Sequence, residues 1–150
     1  AITAIYRLYV ENTAITFDTE APGEEGIAEK YAGLLKLGHP VIVAERDGKV
    51  LGYAYASFYR PRAAYRFTCE DSIYLDPAET GKGLGKALLT ELLIQSKAHG
   101  FKQMLAVITA DTANSIAIHE KFGFERVGYY KSVGLKFDRW HDIVHLQKAL

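Results

Sequence analysis

Thr80-Gly81-Lys82-Gly83-Leu84-Gly85-Lys86 stands between a strand-like run and a helix, and its reading decides the fold. Upstream, Asp71-Ser72-Ile73-Tyr74-Leu75-Asp76-Pro77 has β character and ends in a proline turn. Downstream, Ala87-Leu88-Leu89-Thr90-Glu91-Leu92-Leu93 is a good helix. Glycines just before a helix let backbone N–H groups approach a ligand, and the dipole behind them favours an anion. Three glycines and two lysines exceed what a capping turn needs. The loop is read as a cradle for a phosphorylated ligand.

Spacing tests two phosphate-loop families. A Walker A loop needs four residues between its first glycine and Gly-Lys, then Ser or Thr. Here only Lys82, Gly83 and Leu84 intervene between Gly81 and Gly85-Lys86, and Ala87 follows, so no hydroxyl is offered to Mg²⁺. A dinucleotide fingerprint, Gly-x-Gly-x-x-Gly, would require glycine where Leu88 stands, and the next acidic candidate, Asp111, is in a loop.

Composition narrows the class. A chain of 150 residues with 49% hydrophobic residues can bury a core, and it is read as one domain spanning 1–150. A net charge of zero argues against a general nucleic-acid binder. The single cysteine, Cys69, permits no intrachain disulfide and fits a reducing, cytoplasmic setting. No stretch approaches the ~20 apolar residues of a membrane span, and none reads as a signal peptide.

Along the chain, Ile2, Ile5, Leu8 and Tyr9 have helical spacing, so the chain opens within a helix. A second helix runs from Glu24 to Leu37 and stops at Gly38. Strands follow over 41–45 and 50–59, joined by an Asp47-Gly48 hairpin. The next strand is expected over 66–75. After the loop and its helix, which ends at Gly100, come a strand over 103–108 and a helix ending at Phe122-Gly123. Two strands at 125–132 and 140–147 are connected by Val133-Gly134-Leu135-Lys136-Phe137. The pattern is α/β with one mixed sheet.

The loop, with Asn114-Ser115 leading to His119-Glu120-Lys121-Phe122-Gly123-Phe124, resembles the GNAT superfamily of acetyl-CoA-dependent N-acetyltransferases. Glu11-Asn12-Thr13, Tyr65-Arg66-x-Thr68-x-Glu70 and Val133-Gly134-x-Lys136-Phe137-x-Arg139-Trp140-x-Asp142 resemble its phosphinothricin and methionine sulfoximine acetyltransferase group. The resemblance implies a mostly antiparallel sheet flanked by helices, with the family's first strand absent from this chain. It also implies acetyl-CoA as co-substrate, no metal, a small amino-acid acceptor and a homodimer. One departure is Thr80, where the family loop begins with Arg or Gln, which implies weaker rather than lost CoA binding.

The site residues follow from that likeness. Gly81, Lys82, Gly83, Leu84, Gly85 and Lys86 would hold the pyrophosphate, with Asn114 and Ser115 also on the cofactor. Ile73, Tyr74 and Leu75 would pair their backbone with the pantetheine arm, and N–H groups near Tyr74 would face the thioester oxygen. Glu70 is the candidate base, because partial burial in an apolar or hydroxylic strand would raise its pKa; the alternative is a carboxylate paired with Arg66. His119 takes the place of a tyrosine that protonates the thiolate in many family members; the alternative is a packed histidine bonded to a carbonyl.

Recognition of an acceptor carboxylate calls for a bidentate arginine, with Arg66 beside Tyr65 preferred over Arg62. Phe17, Asn12 and Thr13 would build a wall, or else are an ordinary helix-end cluster. Lys136 and Trp140 would reach the site from a partner subunit, or else are hairpin contacts. His141 and His145, four apart on a strand, would stand ~13 Å from each other, too far to share one metal. Tyr129-Tyr130 is read as core and sheet packing. Two other readings stay open: a different amine acceptor (polyamine, drug or protein N-terminus), and a CoA-binding sensory module without catalysis.

Overall fold

Alternation in the strands sets two apolar layers on one sheet. In the computed structural model, which describes all 150 residues, β1 (Val41–Arg46), β2 (Lys49–Phe58), β3 (Thr68–Leu75), β4 (Gln103–Thr109), β5 (Glu125–Lys136) and β6 (Arg139–Ala149) form a single sheet in the order β1-β2-β3-β4-β6-β5. Every neighbouring pair is antiparallel except β3 and β4. The helices are α1 (Ile2–Asn12), α2 (Glu24–Lys36), α3 (Leu84–His99) and α4 (Ala113–Lys121).

Strand β2 shows why both layers form. Side chains alternate across a strand, and here both faces are apolar. Ala54 and Ala56 join Leu88, Leu89 and Leu92 of α3, with Met104 and Leu146, in the larger core. Tyr53 and Tyr55 face the other way and join Tyr74 under Ile5, Tyr6 and Val10 of α1 and Ile27 and Tyr31 of α2. The helices stop where left-handed glycines allow it: Gly38 at φ +74° beyond α2 and Gly100 at φ +109° after α3.

Three sequence expectations need correction. The chain over Ala63–Tyr65 is a short 3₁₀ turn capped by Arg66, and β3 begins only at Thr68, so Arg66 is not a strand residue. The last two strands are longer than expected, because β5 runs through Val133–Lys136. A bulge at Ser132 (φ +50°) realigns β5, and Phe137-Asp138 makes the hairpin turn with both residues at positive φ. A two-residue turn of that hand normally uses glycine, asparagine or aspartate, so Phe137 hides it in the sequence although Asp138 suits it. Finally, Tyr129 and Tyr130 are 51% and 53% exposed and lie outside both cores.

The parallel pair is short, and this shapes the site. Only Thr68, Cys69 and Glu70 are in register with Gln103, Met104 and Leu105. Beyond Glu70, β3 stays paired with β2 as far as Leu75, while β4 stays paired with β6 as far as Thr109. The two strands therefore diverge, and a wedge opens in the middle of the sheet.

Candidate active site

The wedge is a cleft lined by Glu70 to Tyr74 of β3, Val107 to Thr109 of β4, and Thr112, Ser115 and His119 at and within α4. Ile15, from the α1–α2 connection, closes one side. Backbone alternation decides which groups of β3 face it. Asp76 N–H donates to Leu51 and Tyr59 N–H to Thr68, so even-numbered residues of β3 turn their backbone to β2. Phe67 C=O accepts from Lys102, so odd-numbered residues turn to the β4 side. Ile73 thus presents its amide to the cleft, whereas the amide of Tyr74 belongs to the β2 ladder. At Leu75 the open edge ends, because Tyr9 Oη from α1 bonds both its carbonyl (2.9 Å) and its N–H (3.3 Å).

Side chains alternate as well. Glu70 shares the tyrosine face of the sheet with Tyr74; Asp71 lies on the α3–α4 face. Burial raises the pKa of Glu70, and the charge of Asp71 raises it further. No ion pair holds Glu70. Arg66 instead donates to the Ala63 carbonyl at 3.2 Å and lies 4.5 Å over the Phe67 ring. The Glu70–Arg66 pair weighed from the sequence does not form.

His119 is buried and engaged at both nitrogens. Nδ1 is 2.7 Å from the Ser115 carbonyl, one turn back, and must donate to it. Nε2 is 2.7 Å from Asp71 Oδ2. Burial pulls the imidazole pKa down, but the hydrogen bond and charge of Asp71, helped by the Ser115 carbonyl, outweigh it and hold the value above 6.5. Asp71 was missed in the sequence because a strand carboxylate next to Glu70 carries no pattern; only the packing of α4 on β3 shows its partner. Tyr9 was missed for the same reason, as one more residue of a helical stripe.

The loop before α3 suits an anion. Gly81 (φ +76°) and Gly83 (φ +84°) take the left-handed conformation, and no side chain caps the helix N-terminus. Its first N–H groups have no intrahelical partner and are left for a ligand. A Cβ on Gly85 would meet only ordinary contacts at 3.8 Å, so packing does not require glycine there; the open space suits a close ligand. Thr80 turns its hydroxyl to the Pro77 carbonyl, Lys82 pairs with Glu79 at 3.4 Å, and Leu84 packs on the larger core. Lys86 is exposed. Asn114 lines a second hollow that shares Ile15 and Thr112 with the cleft. These groups fit a pyrophosphate and an extended arm running from α3 into the wedge.

The expected acceptor residues are not gathered there. Tyr65 packs edge-on against Tyr59, and neither Tyr65 nor Arg66 lines the cleft. Phe17 lies against His141 and over Gly134. Lys136 is 5% exposed and donates to the Thr16 carbonyl of its own chain at 2.8 Å. Cys69 is buried, with burial and Asp71 pushing its thiol up to about 12, so it is no nucleophile.

Comparison with known proteins agrees with this geometry. The acetyltransferase (GNAT) family model matches residues 2–124. Phosphinothricin N-acetyltransferase of Alcaligenes faecalis is 44% identical over 152 residues, covering 100% of this chain and 77% of that protein. The L-methionine sulfoximine/L-methionine sulfone acetyltransferase of Salmonella typhimurium is 37% identical, covering 100% and 88%. The crystal structure of a phosphinothricin acetyltransferase from Sinorhizobium meliloti in complex with acetyl-CoA superposes with a TM-score of 0.96 at 46% identity, covering 99% of this chain and 80% of that one.

Proposed function

The chain belongs to the GNAT family and is an acetyl-CoA-dependent N-acetyltransferase, and we propose that its acceptor is the amino group of a small amino acid such as phosphinothricin, methionine sulfoximine or methionine sulfone. The acceptor assignment rests on the likeness to those relatives over the whole chain.

Glu70 is the general base. The observation that carries this is its position: an unpaired, half-buried carboxylate with a raised pKa, at the point where the β3–β4 ladder ends and the cleft begins. A raised pKa makes it a stronger proton acceptor for the substrate ammonium. The Ile73 amide, turned into the cleft, faces the thioester oxygen as negative charge develops on it. Glu70 takes the first ammonium proton before attack, and the second leaves the tetrahedral nitrogen for water. His119 is the acid: as the carbon–sulfur bond breaks, its Nε2 proton leaves the bond to Asp71 for the thiolate, and solvent reprotonates the imidazole. The bond to Asp71 keeps that proton in place beforehand. Gly81 to Lys86 hold the pyrophosphate.

The active unit is a homodimer. Tyr129, Val133, Leu135, Phe137 and Trp140 of the β5–β6 hairpin are each at least half exposed, a density of large apolar groups that a second copy would cover.

The test is thiol release from acetyl-CoA against phosphinothricin, methionine sulfoximine, methionine sulfone, spermidine and a short peptide. Turnover confined to the three amino acids supports the assignment; turnover on spermidine or peptide alone refutes it. Glu70→Gln should lower kcat by ~10²–10⁴ while acetyl-CoA affinity changes little. An unchanged pH–rate profile in His119→Ala would remove His119 from the mechanism.

A further inference from the structure

The α1–α2 connection, residues 13–23, contains no helix or strand, yet it is tied down from three separate elements. Thr109 Oγ1 of β4 donates to the Ala14 carbonyl at 2.6 Å. Lys136 Nζ of β5 donates to the Thr16 carbonyl at 2.8 Å. Tyr6 Oη of α1 shares a 2.9 Å hydrogen bond with Thr16 Oγ1. Phe17 then lies across Gly134 so closely that a Cβ there would collide with the Phe17 ring.

Two features set these ties apart from incidental loop contacts. Lys136 is buried without a carboxylate within ion-pair distance, although burying an ammonium is unfavourable unless something holds it. Its ammonium donates to the connection itself and otherwise stands 5.2 Å from the centre of the Phe137 ring. Between the two tied carbonyls, Ala14 and Thr16, sits Ile15, which lines the cleft. Ile15 is 42% exposed, an apolar side chain held out toward the cleft rather than into a core.

We propose that Lys136, Thr109 and Gly134 are positioning residues that fix the α1–α2 connection, so that Ile15 forms a rigid apolar wall selecting the acceptor side chain. Lys136 thus acts through the connection of its own chain and does not bind the acceptor's anionic group. The proposal rests on the amino-acid acceptor assigned above. The apolar methylenes of such an acceptor pack on Ile15, and a wall that moves loses that contact without disturbing the pyrophosphate loop at the far end of the cleft.

The experiment uses Lys136→Met, Thr109→Val and Gly134→Ala in the full chain. Two readouts are taken: peptide-level hydrogen exchange over 13–18, and KM for methionine sulfone and for acetyl-CoA. Each variant should exchange faster over 13–18 and raise the acceptor KM, about tenfold for Lys136→Met, which loses a charged hydrogen bond, and less for Thr109→Val, which loses a neutral one, with acetyl-CoA KM little changed. If only Lys136→Met raises the acceptor KM, Lys136 binds substrate and the proposal falls. Unchanged exchange over 13–18 in all three variants also overturns it, whatever the acceptor. Should no amino acid be turned over by the wild type, the acceptor assignment fails, and the exchange data still judge the ties. Thr109→Val keeps the test open if Gly134→Ala does not fold.

Discussion

Replacing Asp71 with asparagine should make stability and catalysis report on one buried proton. The Asp71–His119 contact is 2.7 Å long, and its side chains are 4% and 6% exposed, so water screens it little. Asparagine keeps the shape and one hydrogen bond but removes the charge. Hydrogen bonds to charged groups contribute about 1.5–3 kcal/mol and neutral ones about 0.5–1.5, so the substitution should cost about 1–2 kcal/mol when His119 is protonated. In a chain of this size that lowers Tm by roughly 2–8 °C.

The sign follows from the raised pKa of His119, whose folded value lies above 6.5. Its contribution is fully present below the unfolded value and is lost as pH rises through the folded one. Urea denaturation of wild type and Asp71→Asn near pH 6 should therefore show the full difference, which should shrink at higher pH. The alkaline limb of kcat should move to lower pH in the variant, because burial then acts on His119 without the carboxylate. An equal stability difference at both pH values would refute the reasoning, as would imidazole NMR signals of His119 titrating alike in both proteins.

Three further outcomes are expected. Gly52→Ala should destabilise by about 1–3 kcal/mol in denaturant melts and weaken acetyl-CoA binding, because its Cβ would fall 2.9 Å from the Tyr74 carbonyl and 2.7 Å from Leu75 Cδ2 on the cleft strand. His39, 2% exposed, with neither ring nitrogen hydrogen-bonded, has its pKa lowered by burial and by His99, so stability should fall as pH drops below 6.5; His39→Phe, among the rings of Phe58 and Phe101, should flatten that slope in Tm measured against pH. Trp140→Lys should shift the mass measured by light scattering toward the monomer; an unchanged dimer would place the interface elsewhere.

Much of the fold was legible because it is written in local patterns. The glycine loop, the apolar stripe of α1, the glycine stops after α2 and α3 and the Asp47-Gly48 turn depend on residues close in sequence, where backbone sterics and helix periodicity act directly. Neither Glu70 nor Asp71 stands out by local pattern, since both are carboxylates of one strand; Glu70 was marked by the family resemblance, and only the structure shows it without an ion pair. The Phe137-Asp138 turn was illegible, since tertiary strand pairing forces Phe137, an unfavoured residue, to positive φ. The expectation for Arg66 failed likewise, because propensity does not show where a strand begins when a 3₁₀ turn competes for the same residues.

The sequence by itself thus determined most of the elements, through short-range spacing, and the family, through motifs that resemble it along the chain. Tertiary structure alone decided which side chains meet. Asp71 finds His119 across 48 positions, and Lys136 finds Thr16 across 120. The wedge exists only because β3 and β4 each keep their outer partners and part from one another. Such contacts are set by long-range packing of the whole sheet, and no local pattern in the chain encodes them.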